Sequence, residues 1–188
     1  MPEAFLTVTG LVAIAEIGDK TQLLSLLLAA KFRRPWPILA GILLATVANH
    51  ALAAWAGVWL DQLVEPHYLR WALGASFIAM AVWTLKPDQL GEDEAPVKAG
   101  RFGAFLGTLL AFFLAEIGDK TQVATTALAA RYGEVLVVTA ASTLGLFAVN
   151  APVVLLGERI MRVLPLDLVR KLAAAAFLII GVVTLIGW

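Results

Sequence analysis

The octapeptide Ala15-Glu16-Ile17-Gly18-Asp19-Lys20-Thr21-Gln22 recurs letter for letter as Ala115-Glu116-Ile117-Gly118-Asp119-Lys120-Thr121-Gln122, 100 residues later. Each copy sets two acids and a lysine inside a long apolar stretch, where ionised groups are costly and mark functional pathways. Any fold for this chain must bury these charges twice and give them partners. The surrounding composition says what kind of fold that is. The chain is 61% hydrophobic with a mean hydropathy of +0.87, well above the roughly 45–50% of a soluble domain. The excess falls in six blocks, residues 4–30, 36–60, 68–85, 102–130, 135–156 and 168–187. Most reach the ~20 residues a helix needs to cross ~30 Å of hydrocarbon. The pattern predicts an all-α integral membrane protein with six transmembrane helices.

Other classes recede on the same evidence. The first block lacks a basic flank and carries Glu16, Asp19 and Lys20, unlike a cleaved signal peptide. The formal net charge is zero, so no basic surface points to nucleic acid. Cysteine is absent, which excludes disulfides, thiolate metal sites and cysteine nucleophiles.

Charge outside the motifs sets an orientation. Ten of the 14 Lys and Arg residues sit after blocks one, three and five, at Lys31, Arg33, Arg34, Lys86, Lys98, Arg101, Arg159, Arg162, Arg170 and Lys171. Only Arg70 and Arg131 follow blocks two and four. The positive-inside rule makes the first set cytoplasmic and places both termini outside. Trp36, Trp59, Tyr68, Tyr132 and Trp188 stand near block ends, where interfacial aromatics anchor spans.

The duplication runs past the octapeptide. Ala29-Ala30-Lys31-Phe32 corresponds to Ala129-Ala130-Arg131-Tyr132, Gly57 to Gly157, Arg70 to Arg170, Phe77 to Phe177, and Thr84-Leu85 to Thr184-Leu185. Asn49 and Asn150 correspond with a one-residue slip. The expected organisation is a three-helix repeat over residues 1–85, a cytoplasmic linker over 86–101 and a second repeat over 102–188. Because three is odd, the repeats run in opposite senses through the bilayer. Such inverted repeats recur in secondary transporters, with the substrate near midplane where interrupted segments of the two halves meet.

Taken as a regular helix, the first motif puts Glu16, Asp19 and Lys20 on one face, with Gln22 at its border and Thr21 and Ser25 pointing away. Gly18 and Gly118 permit close helix approach or local unwinding, and unwinding would turn Thr21 and Thr121 inward. Two such faces gather Glu16, Asp19, Glu116 and Asp119, with amide oxygens from Gln22 and Gln122. An all-oxygen set suits Mg²⁺, Ca²⁺ and Mn²⁺. Fully ionised, the two motifs together carry a charge of minus two, which a divalent cation neutralises. When the metal leaves, clustered carboxylates in a low dielectric favour taking up protons, so metal and proton compete for the same groups. Lys20 and Lys120, each four residues after its Glu, can pair with the acids in the absence of metal or equally repel monovalent cations. The bland reading, buried ion pairs that hold a bundle, fits two identical copies with an excess acid each poorly. Asn49 and Asn150 are read as interhelical hydrogen-bonding residues or as lining of the site. His50 has no counterpart, since Ala151 holds that place, and is open to a proton or metal role. His67 falls at a block boundary.

Glu16-x-Gly18-Asp19-Lys20-Thr21 and Glu116-x-Gly118-Asp119-Lys120-Thr121 resemble the paired Glu-x-Gly-Asp-(Lys/Arg)-(Ser/Thr) signature of a cation/proton exchanger family. That family includes Golgi and chloroplast-envelope manganese and calcium transporters and bacterial manganese exporters of the MneA type. The resemblance covers the whole chain, both motifs fit without departure, and the short central linker is like that of bacterial members. It implies export of Mn²⁺ across the bacterial inner membrane in exchange for protons, with Ca²⁺ as competing substrate. It also implies that Glu16, Asp19, Glu116 and Asp119 bind the ion and exchange the protons. No prosthetic group is expected; the lipid bilayer, a divalent cation and protons are the partners. A Ca²⁺/H⁺ antiporter is the close rival, since both ions accept carboxylate and amide oxygens, and export of a small cationic organic solute is the alternative from another class. An intramembrane enzyme with paired carboxylates is disfavoured because acid and base roles need asymmetry, and the motifs are identical.

Overall fold

The computed structural model describes residues 2–87, 103–157, 159 and 165–187. Most of the expected linker, with Lys98 and Arg101, lies outside the described residues, as does Arg162. The described residues are helical with no strand. The chain order is α1 (Pro2–Glu16), α2 (Lys20–Phe32), α3 (Pro35–Leu63), α4 (Pro66–Thr84), α5 (Gly103–Glu116), α6 (Lys120–Tyr132), α7 (Val135–Leu156) and α8 (Leu166–Ile186).

By length and composition three of these, α3, α7 and α8, are long and apolar enough to cross a membrane, and α5 is a shorter apolar helix. The sequence led us to expect six such segments. The shortfall in blocks one and four has a local cause: each is cut in two at its octapeptide. At α1 the cut leaves a helix of 15 residues, about 22 Å at 1.5 Å per residue, and α2 has 13. The cut falls at glycine in both copies, with φ of 81° at Gly18 and 75° at Gly118. That left-handed conformation costs glycine nothing and opposes any other L-residue.

The helices of the two sequence halves interleave. α3 packs against α5 and α6, α7 packs against α1 and α2, and α4 packs against α8. Each motif thus abuts the long helix of the other half. The repeat-related Phe77 and Phe177, both fully buried, stack with ring centroids 6.5 Å apart where α4 meets α8. The core is continuous, running from Val8 and Val12 through Leu24, Ile42 and Phe112 to Leu146.

Small residues set the separation of these helices, as interfaces without a strong hydrophobic drive require. A Cβ on Gly145 would lie 2.7 Å from Thr9 O of α1, and one on Gly41 2.8 Å from Phe105 O of α5. The tightest crossing is at Gly57, where a Cβ would meet Thr126 O at 2.1 Å. Gly10 has nothing within 4 Å. Gly57→Ala therefore forces α3 and α6 apart and is expected to cost about 1–3 kcal/mol. Gly10→Ala is expected to be neutral or to stabilise by roughly 0.5–1 kcal/mol through helix propensity. Thermal unfolding of the detergent-purified protein checks both signs.

Candidate functional site

The break at each octapeptide decides where its side chains go. Asp19 leaves the helical region, with φ −78° and ψ 164°, and becomes the N-cap of α2, its carboxylate accepting from Thr21 N. Asp119 repeats this for α6. An N-terminal helix end leaves N–H donors without helical partners, and an aspartate there satisfies one of them. The turn itself is held by the glutamines. Gln22 Oε1 accepts from Gly18 N at 2.8 Å, and Gln122 Oε1 from Gly118 N at 2.6 Å.

These contacts turn the motif acids inward. Glu16, Asp19, Thr21 and Glu116 are fully buried, and Asp119 is 3% exposed. Thr21 Oγ1 donates to Glu16 Oε2 at 2.6 Å and sits 3.3 Å from Asp19 Oδ2. Thr121 Oγ1 donates to Asp119 Oδ2 at 3.1 Å. Of the two readings of the motif as a helix, the unwound one holds: Thr21 faces the acids rather than away from them. Glu16, Asp19 and Asp119 each bring one carboxylate oxygen within 4.8 Å of the others. Oxygens so spaced can all contact one cation at the 2.0–2.6 Å typical of Mg²⁺ and Ca²⁺. The group draws on both motifs.

The lysines cross between motifs. Lys120 Nζ lies 2.5 Å from Asp19 Oδ1, and Lys20 Nζ lies 3.8 Å from Asp119 Oδ1. Lys120 is nearly buried, with 3% exposure, so its ammonium needs a carboxylate beside it. The expected pairing of lysines with acids is present, and it joins one motif to the other.

Glu116 falls outside the group of three. It rests against α3, accepting from Thr46 Oγ1 at 3.0 Å through Oε1, with His50 Nε2 at 3.6 Å from Oε2. Asn150 of α7 approaches Glu16 instead, Nδ2 to Oε2 at 3.4 Å, and its Oδ1 accepts from Ser25 at 2.7 Å. Asn49 does not reach an acid here; its Nδ2 donates to Phe113 O at 3.0 Å. Gln22 and Gln122 direct their oxygens to the turn. His67 lies on exposed α4 surface, with its ring against Tyr68 and Trp71. Thr46 and Ser25 were not anticipated as contact residues. The signal for Thr46 was available: positions 46, 49 and 50 share one face at helical spacing.

The two turns differ in surroundings, which gives a test of the glutamine staples. The Gly18–Gln22 bond is partly buried and the Gly118–Gln122 bond is exposed. Gln22→Leu removes the acceptor for a donor that water reaches poorly, an expected cost of about 1–3 kcal/mol. Gln122→Leu leaves Gly118 N to solvent and should cost distinctly less. Comparing the melting temperatures of the two variants decides it.

Comparisons with known proteins identify the relatives of the chain. The family model for the divalent cation/proton antiporter GDT1 matches residues 4–92 and 104–188. A Vibrio cholerae protein named "Putative manganese exporter" is 51% identical over 175 residues, covering 92% of this chain and 86% of that one. A GDT1-like protein of Synechocystis is 27% identical over 139 residues, covering 64% of this chain and 66% of that one. No solved structure matches the chain. The chain belongs to the GDT1 family of divalent cation/proton antiporters, which are membrane transporters.

Proposed function

We propose that this protein exports manganese from the cytoplasm in exchange for protons, binding the metal near midplane between its two acidic motifs. The observation that carries the reading is the buried triad of Glu16, Asp19 and Asp119, assembled from both copies of the octapeptide. The name of the Vibrio cholerae relative favours manganese as the cargo. Calcium, which accepts the same carboxylate oxygens, is the competing substrate.

Chemically, the residues act as a set of exchangeable charges. Glu16, Asp19 and Asp119 hold the cation, Glu116 joins or leaves them, and Lys20 and Lys120 withdraw when the metal arrives. On release, the lysines return to the aspartates and protons replace the metal on the remaining carboxylates. Like charges crowded in a low dielectric are thereby never left bare. Gln22, Gln122, Thr21 and Thr121 support the site by fixing the turns, and Gly18 and Gly118 permit them. Asn49 and Asn150 position the motifs from the opposite half.

The frame we infer is six spans in two inverted three-helix repeats, 1–85 and 102–188, joined by a cytoplasmic linker over 86–101. Blocks one and four are broken spans, α1 with α2 and α5 with α6. The interleaved packing of α3 on the second motif and α7 on the first supports this arrangement. Both termini then lie outside the inner membrane.

Transport into proteoliposomes under an imposed pH gradient tests the activity. Wild type should accumulate Mn²⁺, with Ca²⁺ competing, while Glu16→Gln and Asp119→Asn should each lose more than ~10-fold in rate, as disruption of a metal's surroundings does. Variants that transport like wild type would remove these acids from the site. Movement of a basic amino acid without either metal would replace the reading altogether. Topology has a separate check. A reporter fused after Trp188 should be active only on the outer side, and a cytoplasmic signal would overturn the orientation.

A further inference from the structure

His50 is a fully buried histidine on α3, one residue beyond Asn49. Burying an imidazole without partners is costly, since each nitrogen prefers a hydrogen bond. Yet neither Nδ1 nor Nε2 has a hydrogen-bond partner among the described residues, and Glu116 Oε2 also has none. These unsatisfied atoms face each other: Nε2 and Oε2 stand 3.6 Å apart, beyond a normal hydrogen bond. Thr46 fixes the other oxygen of the same carboxylate at 3.0 Å.

A separation of 3.6 Å is short enough for two atoms to bind one ion. Metal–nitrogen and metal–oxygen distances of roughly 2.0–2.2 Å place neighbouring donors about 3–3.6 Å apart. The orphaned atoms of His50 and Glu116 therefore have the spacing with which two donors grip one cation. Resting on the exchange reading above, we propose that His50 Nε2 and Glu116 Oε2 form a nitrogen-bearing station for the transported metal, beside the Glu16/Asp19/Asp119 triad, and that this nitrogen selects first-row transition cations over calcium. Calcium takes oxygen donors and gains little from an imidazole. Manganese also prefers oxygen donors, but it stands at the start of the first-row series whose affinity for nitrogen-bearing sites rises through iron, cobalt and nickel, so an added imidazole favours it over calcium and favours the later ions more. Selection arises on one side only, because the repeat-related place on α7 is Ala151.

The test uses the full chain in detergent with one equivalent of MnCl₂, read by pulsed electron paramagnetic resonance for ¹⁴N coupling to Mn²⁺. Wild type should show the coupling of one imidazole. His50→Gln, close in volume and lacking the ring, should abolish it, while His67→Ala should retain it. In proteoliposomes, His50→Gln and His50→Ala should lower the Mn²⁺-to-Ca²⁺ transport ratio by about tenfold or more. Absence of nitrogen coupling in wild type overturns the proposal without reference to any variant's folding. So does an unchanged ratio in a transporting His50→Gln protein. A wild type that binds Mn²⁺ with nitrogen coupling and yet exchanges neither metal for protons keeps the station and defeats the exchange reading instead.

Discussion

Interrupting a helix where water is scarce frees backbone N–H and C=O groups that must then find partners inside the protein. That requirement organises each octapeptide. Gly18 and Gly118 allow the turn, but the turn survives because neighbours four residues on and one residue on repair it. Gln22 and Gln122 take the glycine N–H groups, and Asp19 and Asp119 take the first donors of α2 and α6. Repairing the break and building the site are the same act. An aspartate that caps a helix faces the axis of that helix's end, so its second oxygen is delivered to whatever lies opposite. In this molecule the other motif's lysine lies opposite.

The crossing of the lysines follows from that placement. An ammonium buried in a helical bundle is tolerable only beside a carboxylate. Lys120 meets this need with Asp19 and Lys20 with Asp119, so each motif's lysine pairs with an acid of the other motif. The two halves are thereby tied at their polar centre, and they are tied again at the periphery by close helix crossings at Gly57, Gly145 and Gly41. A bundle of this kind has little apolar drive for helix association, so steric fit and these few ionic contacts carry the specificity.

The helical segments were legible from hydropathy, and their ends fell within a few residues of the expected ones; block two, read as 36–60, became Pro35–Leu63. The motif residues were legible because charge in an apolar run has few innocent explanations. The state of the motif helix was not. Periodicity treats residues 4–30 as one helix, and only the coupled needs of a glycine turn, an aspartate cap and a glutamine staple favour the break. Side-chain partners across helices were also beyond reach. Nothing in the spacing says that Asn150 meets Glu16 whereas Asn49 meets a backbone carbonyl, or that Thr46 receives Glu116.

That inequality has a physical origin in the interleaving. Each octapeptide is surrounded mainly by the long helix of the opposite half, so two identical motifs inherit two different environments. Around Glu16 the contacts are Asn150 of α7 and the motif's own Thr21. Around Glu116 they are Thr46 and His50 of α3, while α7 has Phe147 and Ala151 at the places one slip beyond. Exact duplication of the acids therefore does not produce a symmetric site. The duplicated residues supply charge in equal amounts to both sides, and the unduplicated residues of α3 and α7 decide which partners each side meets. The two octapeptides are identical, so the turn chemistry is the same in both halves while the helices around them differ.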